Sequence, residues 1–336
     1  MTTAPTPREV LLDDTHTTEL PVCDHYCGTE VRMQKALALQ AEIGPVFDIT
    51  LDCEDGAPVG AEAAHAALCA DIALSEANRH GRVGARVHPV DHPAFENDLH
   101  TLIGRAGDRL AYLMVPKPEG VADVRHAVAR VQAVAAASGC GATLPVHVLV
   151  ETHGALREVM AIAAEPQVES ISFGLMDFVS AHRGAIPQSA MGTSPHGGQF
   201  QHPLVLRAKL EIAAACHAYG KTPSHCVVTE FKDIDALRSA ATTAREQLGY
   251  TRMWSIHPAQ VRPIVAAFSP SAAEVEQAIN ILRAAQAAAW APIRHEDTLH
   301  DRASYRYFWQ VVQRAHRAAQ AGGPALPDDV ARAWFA

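Results

Sequence analysis

Two apolar runs that each end in a single carboxylate constrain the fold of this chain more than any other feature. The first run, residues 146–150 (Val-His-Val-Leu-Val), meets Glu151, and the second, residues 169–174 (Glu-Ser-Ile-Ser-Phe-Gly), leads to Asp177. Both runs are typical of buried strands, and a helical stretch over residues 155–164 separates them, which indicates a parallel sheet. Because ligands bind at the carboxyl ends of parallel strands, we expect both acids to lie at one ligand-binding rim.

A pair of carboxylates at such a rim predicts a site for a hard divalent cation. Glu151 and Asp177 would suit Mg²⁺, with water and substrate oxygens completing an octahedral shell. Each acid alone has an ordinary explanation, since Glu151 would cap the following helix and Asp177 would form a salt bridge. The repetition of one pattern at two strand ends favours the metal site.

The composition of the 336 residues excludes several classes of function. Hydrophobic residues make up 48% and charged residues 19%, which is enough for a large core. The formal net charge of −9 argues against a nucleic-acid partner, which would require a basic surface. No apolar run is long enough to span a bilayer, and residues 1–7 lack the features of a signal peptide. We therefore expect a cytoplasmic protein with neither a nucleic-acid nor a membrane partner.

The seven cysteines form no disulfide framework and are expected to be free thiols. Only Cys23, His25 and Cys27 are clustered enough to raise the question of zinc, and they lack a second pair of ligands at a recognised spacing. A zinc site is therefore the less favoured interpretation.

Strand-like and helix-like segments alternate along most of the chain. The strand candidates are residues 10–12, 20–22, 47–53, 84–89, 110–115, 146–150, 169–173, 226–229 and 251–256. The helix candidates are residues 29–43, 61–78, 93–103, 121–137, 155–164, 205–219 and 234–248. A count of roughly eight strand–helix units predicts an α/β fold with a TIM-like (β/α)8 barrel.

The barrel is predicted to occupy residues 19–268 and to follow a Pro-rich, disordered N-terminal segment over residues 1–18. Residues 269–336 differ in kind, because their helical segments exceed what a barrel needs. We therefore predict that they form a C-terminal helical extension that packs on a neighbouring subunit.

Within this extension the sequence predicts two helices joined by a polar loop. Ser271 and Glu274 form a capping box that starts a helix running to about Trp290. The polar loop spans residues 294–301, and the second helix runs over residues 305–321.

Six short motifs follow one another in a characteristic order. They are Leu51-Asp-Cys-Glu-Asp-Gly, Ala85-Arg-Val-His-Pro, Met114-Val-Pro-Lys, Leu149-Val-Glu-Thr, Phe173-Gly-Leu-Met-Asp and Ile256-His-Pro-Ala-Gln. In this order they resemble the HpcH/HpaI aldolase and citrate lyase beta-subunit (CitE-like) family, and the resemblance covers roughly residues 47–320.

The resemblance implies a TIM-like barrel, assembled as a homotrimer or hexamer, with Mg²⁺ held by Glu151 and Asp177. It implies that Arg86 contacts the substrate and that Glu54 and Asp55 hydrogen-bond to waters on the metal. The implied activity is that of a carbon–carbon lyase or aldolase, which makes or breaks a bond next to a carbonyl. Its substrate would be a small hydroxy or keto acid, or a CoA thioester such as citryl-CoA or malyl-CoA. A pyruvate-dependent aldehyde aldolase is the alternative within the family.

The chemistry of such a reaction agrees with these residues. Aldol-type cleavage leaves an enolate, whose oxygen carries developing negative charge, so a Lewis acid and a fixed cation must face it. Mg²⁺ and Arg86 would supply both, since the planar guanidinium holds a carboxylate in two hydrogen bonds. A surface ion pair is the ordinary alternative for Arg86.

Lys117 lies between two prolines at the end of an apolar strand and invites a Schiff-base interpretation. A Schiff-base lysine needs a lowered pKa, which desolvation provides. With acids at the neighbouring strand ends, we expect Lys117 to stay protonated and to balance their charge. The alternative is a class I aldolase that needs no metal.

Two departures from the family pattern leave recognition of CoA open. The family's N-terminal element, Arg-Ser-x-Leu-x-Val-Pro-Gly, is matched here only by residues 20–23 (Leu-Pro-Val-Cys), and His88 stands where the family commonly has asparagine. A catalytically idle barrel that binds a metabolite is a further alternative. The joint presence of Glu151, Asp177 and Arg86 favours an enzyme.

Asp301 is a candidate acid/base, because some relatives place an aspartate of the C-terminal extension over the active site of an adjacent subunit. The ordinary alternative is that Asp301 caps the helix that follows it. His182, His196 and His202 lie in a glycine-rich loop over residues 180–201, or just after it, and are expected to be surface residues.

Overall fold

The computed structural model describes residues 5–11, 20–141, 143–319 and 325–335. The described part divides into two compact units. One unit contains the described residues from 20 to 268, and the other contains residues 5–11 together with the described residues from Ser269 onward. No helix of the described ranges is long and apolar enough to cross a membrane.

The strands and helices are numbered in chain order. The strands are β1 (Cys23–Cys27), β2 (Phe47–Asp52), β3 (Val83–Arg86), β4 (Leu113–Val115), β5 (Val146–Val150), β6 (Val168–Phe173), β7 (Thr222–His225), β8 (Arg252–Ser255), β9 (Ile293–His295) and β10 (Thr298–His300). The helices are α1 (Pro7–Val10), α2 (Glu30–Ile43), α3 (Glu62–Leu74), α4 (Phe95–Ala106), α5 (Val121–Ala137), α6 (His153–Arg157), α7 (Val159–Ala163), α8 (Leu175–Ser180), α9 (Pro203–Ala218), α10 (Ile234–Glu246), α11 (Pro258–Phe268), α12 (Ala272–Ala287), α13 (Arg302–Ala319) and α14 (Asp328–Phe335).

Strands β1 to β8 form a closed barrel in which each strand pairs in parallel with the next along the chain. The barrel closes where Cys23 of β1 lies opposite Met253 of β8. The predicted (β/α)8 barrel is therefore confirmed. Parallel strands that are covered by helices are buried on both faces, which explains why β5 is an uninterrupted buried run.

The N-terminal segment differs from the prediction over its described part. Residues 7–10 form the short helix α1 instead of disordered chain or a strand beginning at Val10. The cause is local: the Thr6 and Glu9 side chains form a capping box, and Pro7 occupies the first helical turn. Leu11 then packs into the core of the C-terminal unit. The rest of the predicted disordered segment lies outside the described residues.

Strand β7 also differs from the prediction, which placed a strand at residues 226–229. The strand instead comprises the preceding residues, Thr-Pro-Ser-His, all of which are buried. This run lacks the apolar pattern of a strand because Ser224 and His225 are polar, although both side chains are buried. Pairing with β6 and β8 therefore decided a position that side-chain hydrophobicity did not indicate.

In the C-terminal unit, Ser271 and Glu274 form the predicted capping box at the start of α12. The polar loop predicted at residues 294–301 is instead largely a β-hairpin, β9 and β10. Glu296 and Asp297, which join the two strands, both have positive φ angles, as a tight hairpin turn requires. Helices α12, α13 and α14 bury a separate apolar core that includes Trp309 and Trp334.

Candidate active site

Glu151 follows directly after β5 and is buried at the rim of the barrel, with 2% of its surface exposed. Its Oε1 accepts a hydrogen bond of 2.9 Å from the backbone N–H of Lys117. Gly174 lies so close to the carboxylate that a Cβ at that position would overlap with it. Burial raises the pKa of Glu151 to about 8, and the negative charge of Asp177 adds to this shift. Burial therefore disfavours the charged form of this carboxylate.

Asp177 lies in the first turn of α8, just beyond the end of β6. Its side chain is 43% exposed, and its Oδ1 lies 3.8 Å from the ammonium group of Lys117. The structure thus brings the two predicted metal ligands to one rim, one buried and one open to solvent. This asymmetry would let a ligand approach from the side of Asp177.

Lys117 connects the acidic residues of three strand ends. Its ammonium group donates hydrogen bonds to Glu54 and, at 2.9 Å, to Asp55. Burial alone would lower the pKa of Lys117, but the hydrogen bonds with these two carboxylates outweigh burial and raise it. Its backbone has a positive φ of 50°, and its N–H donates to Glu151 while the side chain reaches the two acids that follow β2. Lys117 is therefore a fixed cation.

Arg86, the last residue of β3, is buried and held by two acids. It forms a bidentate pair with Asp52 at 2.7 Å and 2.9 Å, and its Nη1 lies 3.0 Å from Glu54 Oε2. Burial lowers the pKa of Arg86 to about 10, while the charges of Glu151 and Asp177 oppose the shift. Arg86 consequently remains a cation at neutral pH and faces the same acidic rim as Lys117.

The sequence predictions missed Asp52, which organises this part of the site. Its two oxygens accept Arg86 and also the backbone N–H groups of Glu54 at 3.0 Å and Gly56 at 2.5 Å. Burial raises the pKa of Asp52 to about 8. The sequence did contain a sign of this pair, because Asp52 is the last residue of one strand and Arg86 is the last residue of the next. The parallel register places those two residues opposite each other.

An aromatic wall of Tyr26 and Trp254 was also missed. The two rings stack at a centroid distance of 5.6 Å, and the Arg86 guanidinium lies 4.6 Å from the centroid of Tyr26. The indole N–H of Trp254 donates to Ser172 Oγ at 3.0 Å. Within the described residues, the buried hydroxyl of Tyr26 has no hydrogen-bond partner.

A cavity of about 570 Å³ lies between Met176 of α8, the glycine-rich loop and residues 229–230. The residues that line it are Met176, Gln188, Ser189, Met191, Gly192, Ser194, Thr229 and Glu230. Glu230 fixes the loop, since its Oε1 accepts the backbone N–H of Thr193 at 2.9 Å. Of the loop histidines, His182 packs against His153 and Phe178, and His196 is exposed.

The donor atoms around Glu151 and Asp177 fit Mg²⁺. No group of three or more His, Cys, Asp or Glu side chains in the described ranges is arranged to hold a metal ion. Mg²⁺ does not need such a group, because it is commonly bound by one or two carboxylates and completes its shell with water and substrate oxygens. Glu151 and Asp177 would be those carboxylates, and the exposed side chain of Asp177 is open to water and substrate.

Asp301 is described within the C-terminal unit, where it caps α13. Its Oδ1 accepts the backbone N–H groups of Ala303 at 2.9 Å and Ser304 at 3.3 Å. The structure thus shows the capping contacts of this side chain.

The position of these charged groups in the barrel indicates what kind of protein this is. A closed (β/α)8 barrel carries acids and fixed cations at the carboxyl ends of its strands, which is the catalytic face of such barrels. The chain therefore has the architecture of a (β/α)8-barrel enzyme.

The chain belongs to the HpcH/HpaI aldolase/citrate lyase family, whose family model matches residues 35–258. It is 31% identical over 219 residues to an L-malyl-CoA/beta-methylmalyl-CoA lyase of Cereibacter sphaeroides, a match that covers 61% of this chain and 66% of that protein. It is also 31% identical over 247 residues to a citrate lyase subunit beta-like protein of Deinococcus radiodurans, covering 72% of this chain and 78% of that protein.

Solved structures show the same architecture. A citrate lyase from Burkholderia xenovorans LB400 superposes with a TM-score of 0.86 at 55% identity, over 98% of each chain. CitE from Mycobacterium tuberculosis, in complex with magnesium, acetoacetate and coenzyme A, superposes with a TM-score of 0.69 at 21% identity, over 88% of this chain and 98% of that chain.

Proposed function

We propose that this protein is a Mg²⁺-dependent carbon–carbon lyase that cleaves or forms a 3-hydroxy acid as its CoA thioester. The observation that carries the proposal is the convergence of Glu151 and Asp177 on one rim, with the cations of Lys117 and Arg86 beside them. The names of the malyl-CoA lyases and the CoA complex of the M. tuberculosis protein support a thioester substrate.

Each residue has a distinct role in this proposal. When bound by Glu151 and Asp177, Mg²⁺ would supply Lewis-acid stabilisation for the negative charge that develops on the substrate. Arg86 holds a carboxylate or carbonyl oxygen of the substrate, and Asp52 fixes the orientation of the guanidinium. Lys117 stays protonated, neutralises Glu54 and Asp55, and holds Glu151 through its backbone N–H.

A Schiff-base mechanism at Lys117 is not favoured by this environment. A lysine that attacks a carbonyl must lose its proton near neutral pH. Two carboxylates that accept hydrogen bonds from the ammonium group instead raise the pKa of Lys117. Trapping with borohydride in the presence of pyruvate or oxaloacetate should therefore leave Lys117 unmodified.

The first test is calorimetric titration of Mg²⁺ into metal-free protein, with and without oxaloacetate. We expect binding that the keto acid tightens and that Glu151→Gln and Asp177→Asn each weaken by about tenfold or more, since each removes one of two carboxylate ligands. Asp71→Asn is the control, because this exposed acid of α3 pairs only with Arg105 among the described ion pairs. Mg²⁺ binding that is unchanged in both site variants would contradict the proposal.

The second test separates thioester from free-acid substrates. Purified protein with Mg²⁺ is offered malyl-CoA, citryl-CoA, malate and citrate, and the products are measured by mass spectrometry. Cleavage of a thioester without cleavage of the free acids supports the proposed substrate class. Cleavage of the free acids alone would contradict it.

We propose further that the protein assembles as a homotrimer or hexamer and that the C-terminal unit contributes Asp301 to a neighbouring active site. Light scattering should then give a mass of three or six times 36.0 kDa.

Asparagine caps helices about as well as aspartate, so Asp301→Asn should leave the melting temperature unchanged. A loss of turnover by about 10²-fold would support an acid/base role, and unchanged turnover would leave Asp301 as a helix cap only.

A further inference from the structure

Two cysteines outside the acidic rim lie in contact with each other. Cys53 follows β2, Cys69 lies in α3, and their Sγ atoms are 3.7 Å apart. Both are free thiols, with 1% and 0% of their surface exposed. Since a disulfide has a sulfur–sulfur distance of about 2.05 Å, the two sulfur atoms must move about 1.6 Å closer before a bond can form.

The surroundings make the two thiols chemically unequal. The hydrogen bond from Cys53 lowers the pKa of Cys69, burial opposes this shift, and a hydrogen bond with His65 lowers the pKa further. The corresponding interaction with Cys69 raises the pKa of Cys53. His65 is positioned one helical turn before Cys69, and its Nε2 lies 2.8 Å from the carbonyl oxygen of Asp52. Because the His65 imidazole acts on Cys69, Cys69 is the better placed nucleophile of the pair.

The pair is directly connected to the candidate active site. Cys53 lies in sequence between Asp52, which holds Arg86, and Glu54, which contacts both Arg86 and Lys117. The backbone N–H of Cys53 also donates to the carbonyl of Arg86 at 2.9 Å. A movement of Cys53 toward α3 would therefore displace both acids that orient the arginine.

We propose that Cys53 and Cys69 form a reversible oxidation site that reacts with hydrogen peroxide to give a disulfide, and that this disulfide switches the lyase off. The Cys69 thiolate attacks one peroxide oxygen, the O–O bond breaks, and the hydroxide that leaves takes up a proton as water. The sulfur of Cys53 then attacks the sulfenic acid of Cys69, forms the S–S bond, and releases a second water that carries the Cys53 proton. The two thiols are oxidised by two electrons and the peroxide is reduced; a dithiol reductant reverses the reaction.

Burial determines which oxidants can react. Both cysteines are almost fully buried, so a molecule as small as hydrogen peroxide can reach them more readily than a bulky disulfide such as oxidised glutathione. We therefore expect an internal disulfide and no mixed disulfide with glutathione. Formation of the disulfide does not depend on the proposed function. Only the loss of activity rests on it, because that loss is measured as lyase turnover.

The test uses the full chain, treated with hydrogen peroxide and then alkylated under denaturing conditions. We expect two fewer alkyl groups per chain than in the untreated protein, a peptide containing Cys53 linked to Cys69, and turnover that falls by about tenfold or more because Arg86 loses its orientation. Dithiothreitol should restore both the alkylation and the turnover. Peptide mapping decides whether the bond forms even if no lyase substrate has been identified.

Three variants complete the test. Cys69→Ser and Cys69→Ala should both lose the linked peptide and should resist inactivation by peroxide. Two substitutions are made at this position so that the test still stands if one variant does not fold. Cys216→Ser, which changes a thiol of α9 that is equally buried, should retain the linked peptide. Full alkylation of Cys53 and Cys69 after peroxide treatment would overturn the proposal. A linked peptide with unchanged turnover would overturn the coupling to the active site.

Discussion

At the scale of single residues, the site depends on side chains that lie closer together than their positions in the sequence suggest. Gly174 has a negative φ that other residues can also adopt, so glycine is needed here for its missing Cβ and not for its backbone freedom. The carboxylate and Cβ of Glu151 occupy the space that a side chain at residue 174 would need. The glycine before Asp177 therefore positions the other acid of the pair.

We predict that Gly174→Ala lowers kcat/KM by about 10²-fold, because displacement of a catalytic group by about 1 Å is enough for such a loss. Mg²⁺ affinity should fall in parallel, which titration calorimetry would measure. Gly104→Ala in α4 is the control, since a Cβ there meets only Ser138 Oγ, at 3.8 Å. Equal activity of the two variants would show that Glu151 can move without consequence.

The hydroxyls of Tyr26 and Tyr112 give a second comparison at this scale. The Tyr26 hydroxyl has no partner in the described part of the chain, whereas that of Tyr112 bonds to Thr50 at 2.7 Å and Asp24 at 3.2 Å. We predict that Tyr26→Phe does not lower the free energy of unfolding. Tyr112→Phe should lower it by about 1–3 kcal/mol, because buried partners lose a hydrogen bond. Urea unfolding of both variants is the measurement, and a larger loss in Tyr26→Phe would contradict the assignment.

At the scale of secondary structure, local signals predicted the elements whose periodicity is regular. Helix α5 and strand β5 have the bounds that the sequence predicts, because α5 buries residues at helical spacing and β5 is apolar throughout. The capping box at the start of α12 is a local signal of the same kind. Strand β7 was misplaced because its buried residues are polar, and only pairing with its neighbours reveals it.

We predict that Ser271→Ala lowers the stability of the C-terminal unit by about 1 kcal/mol, because the Ser271 hydroxyl accepts the backbone N–H of Glu274. Thermal unfolding followed by circular dichroism would measure the change. Ser239→Ala, at an exposed position inside α10, should not destabilise the protein, since alanine is the better helix former. A larger loss in the control variant would contradict the role of the cap.

At the scale of the whole molecule, the barrel buries charged and titratable groups instead of a purely apolar interior. Arg252 of β8 is fully buried and pairs with Asp48 at 2.5 Å and with Asp24 at 3.2 Å. His25 and His225 are also buried, and burial lowers the pKa of both, that of His25 to about 4. These histidines are neutral in the folded state, whereas an unfolded chain protonates histidine near pH 6.5.

This burial predicts a specific dependence of stability on pH. Between pH 6.5 and about 4 the unfolded chain binds a proton at His25 and the folded chain does not. The free energy of unfolding therefore falls as the pH drops through this window, and this loss is absent above pH 6.5. Each such histidine contributes a slope of about 1.4 kcal/mol per pH unit in that window. His25→Asn should therefore show a flatter decline in the free energy of unfolding from pH 6.5 to 4.5.

Urea unfolding across that pH range, compared between the variant and the parent, isolates the histidine. The raised pKa values of Asp52 and Glu151 act in the opposite direction, and they cancel in the difference because both proteins contain them. His100→Asn, at a side chain that is 62% exposed, should keep the slope of the parent. A slope in His25→Asn equal to that of the parent would contradict the prediction.

Local patterns in the chain predicted the class of fold and the order of most strands and helices. They also predicted that several polar side chains lie at or just beyond strand ends: Glu151, Asp177, Arg86, Glu54, Asp55 and Lys117. They could do so because hydrophobic periodicity and helix caps act over a few residues. The contacts between these groups could not be predicted in this way. The register of β2 against β3 pairs Asp52 with Arg86, and the packing of α3 brings Cys69 to Cys53. Such contacts depend on strand register and helix packing, which are set by the whole barrel and leave no local pattern in the chain.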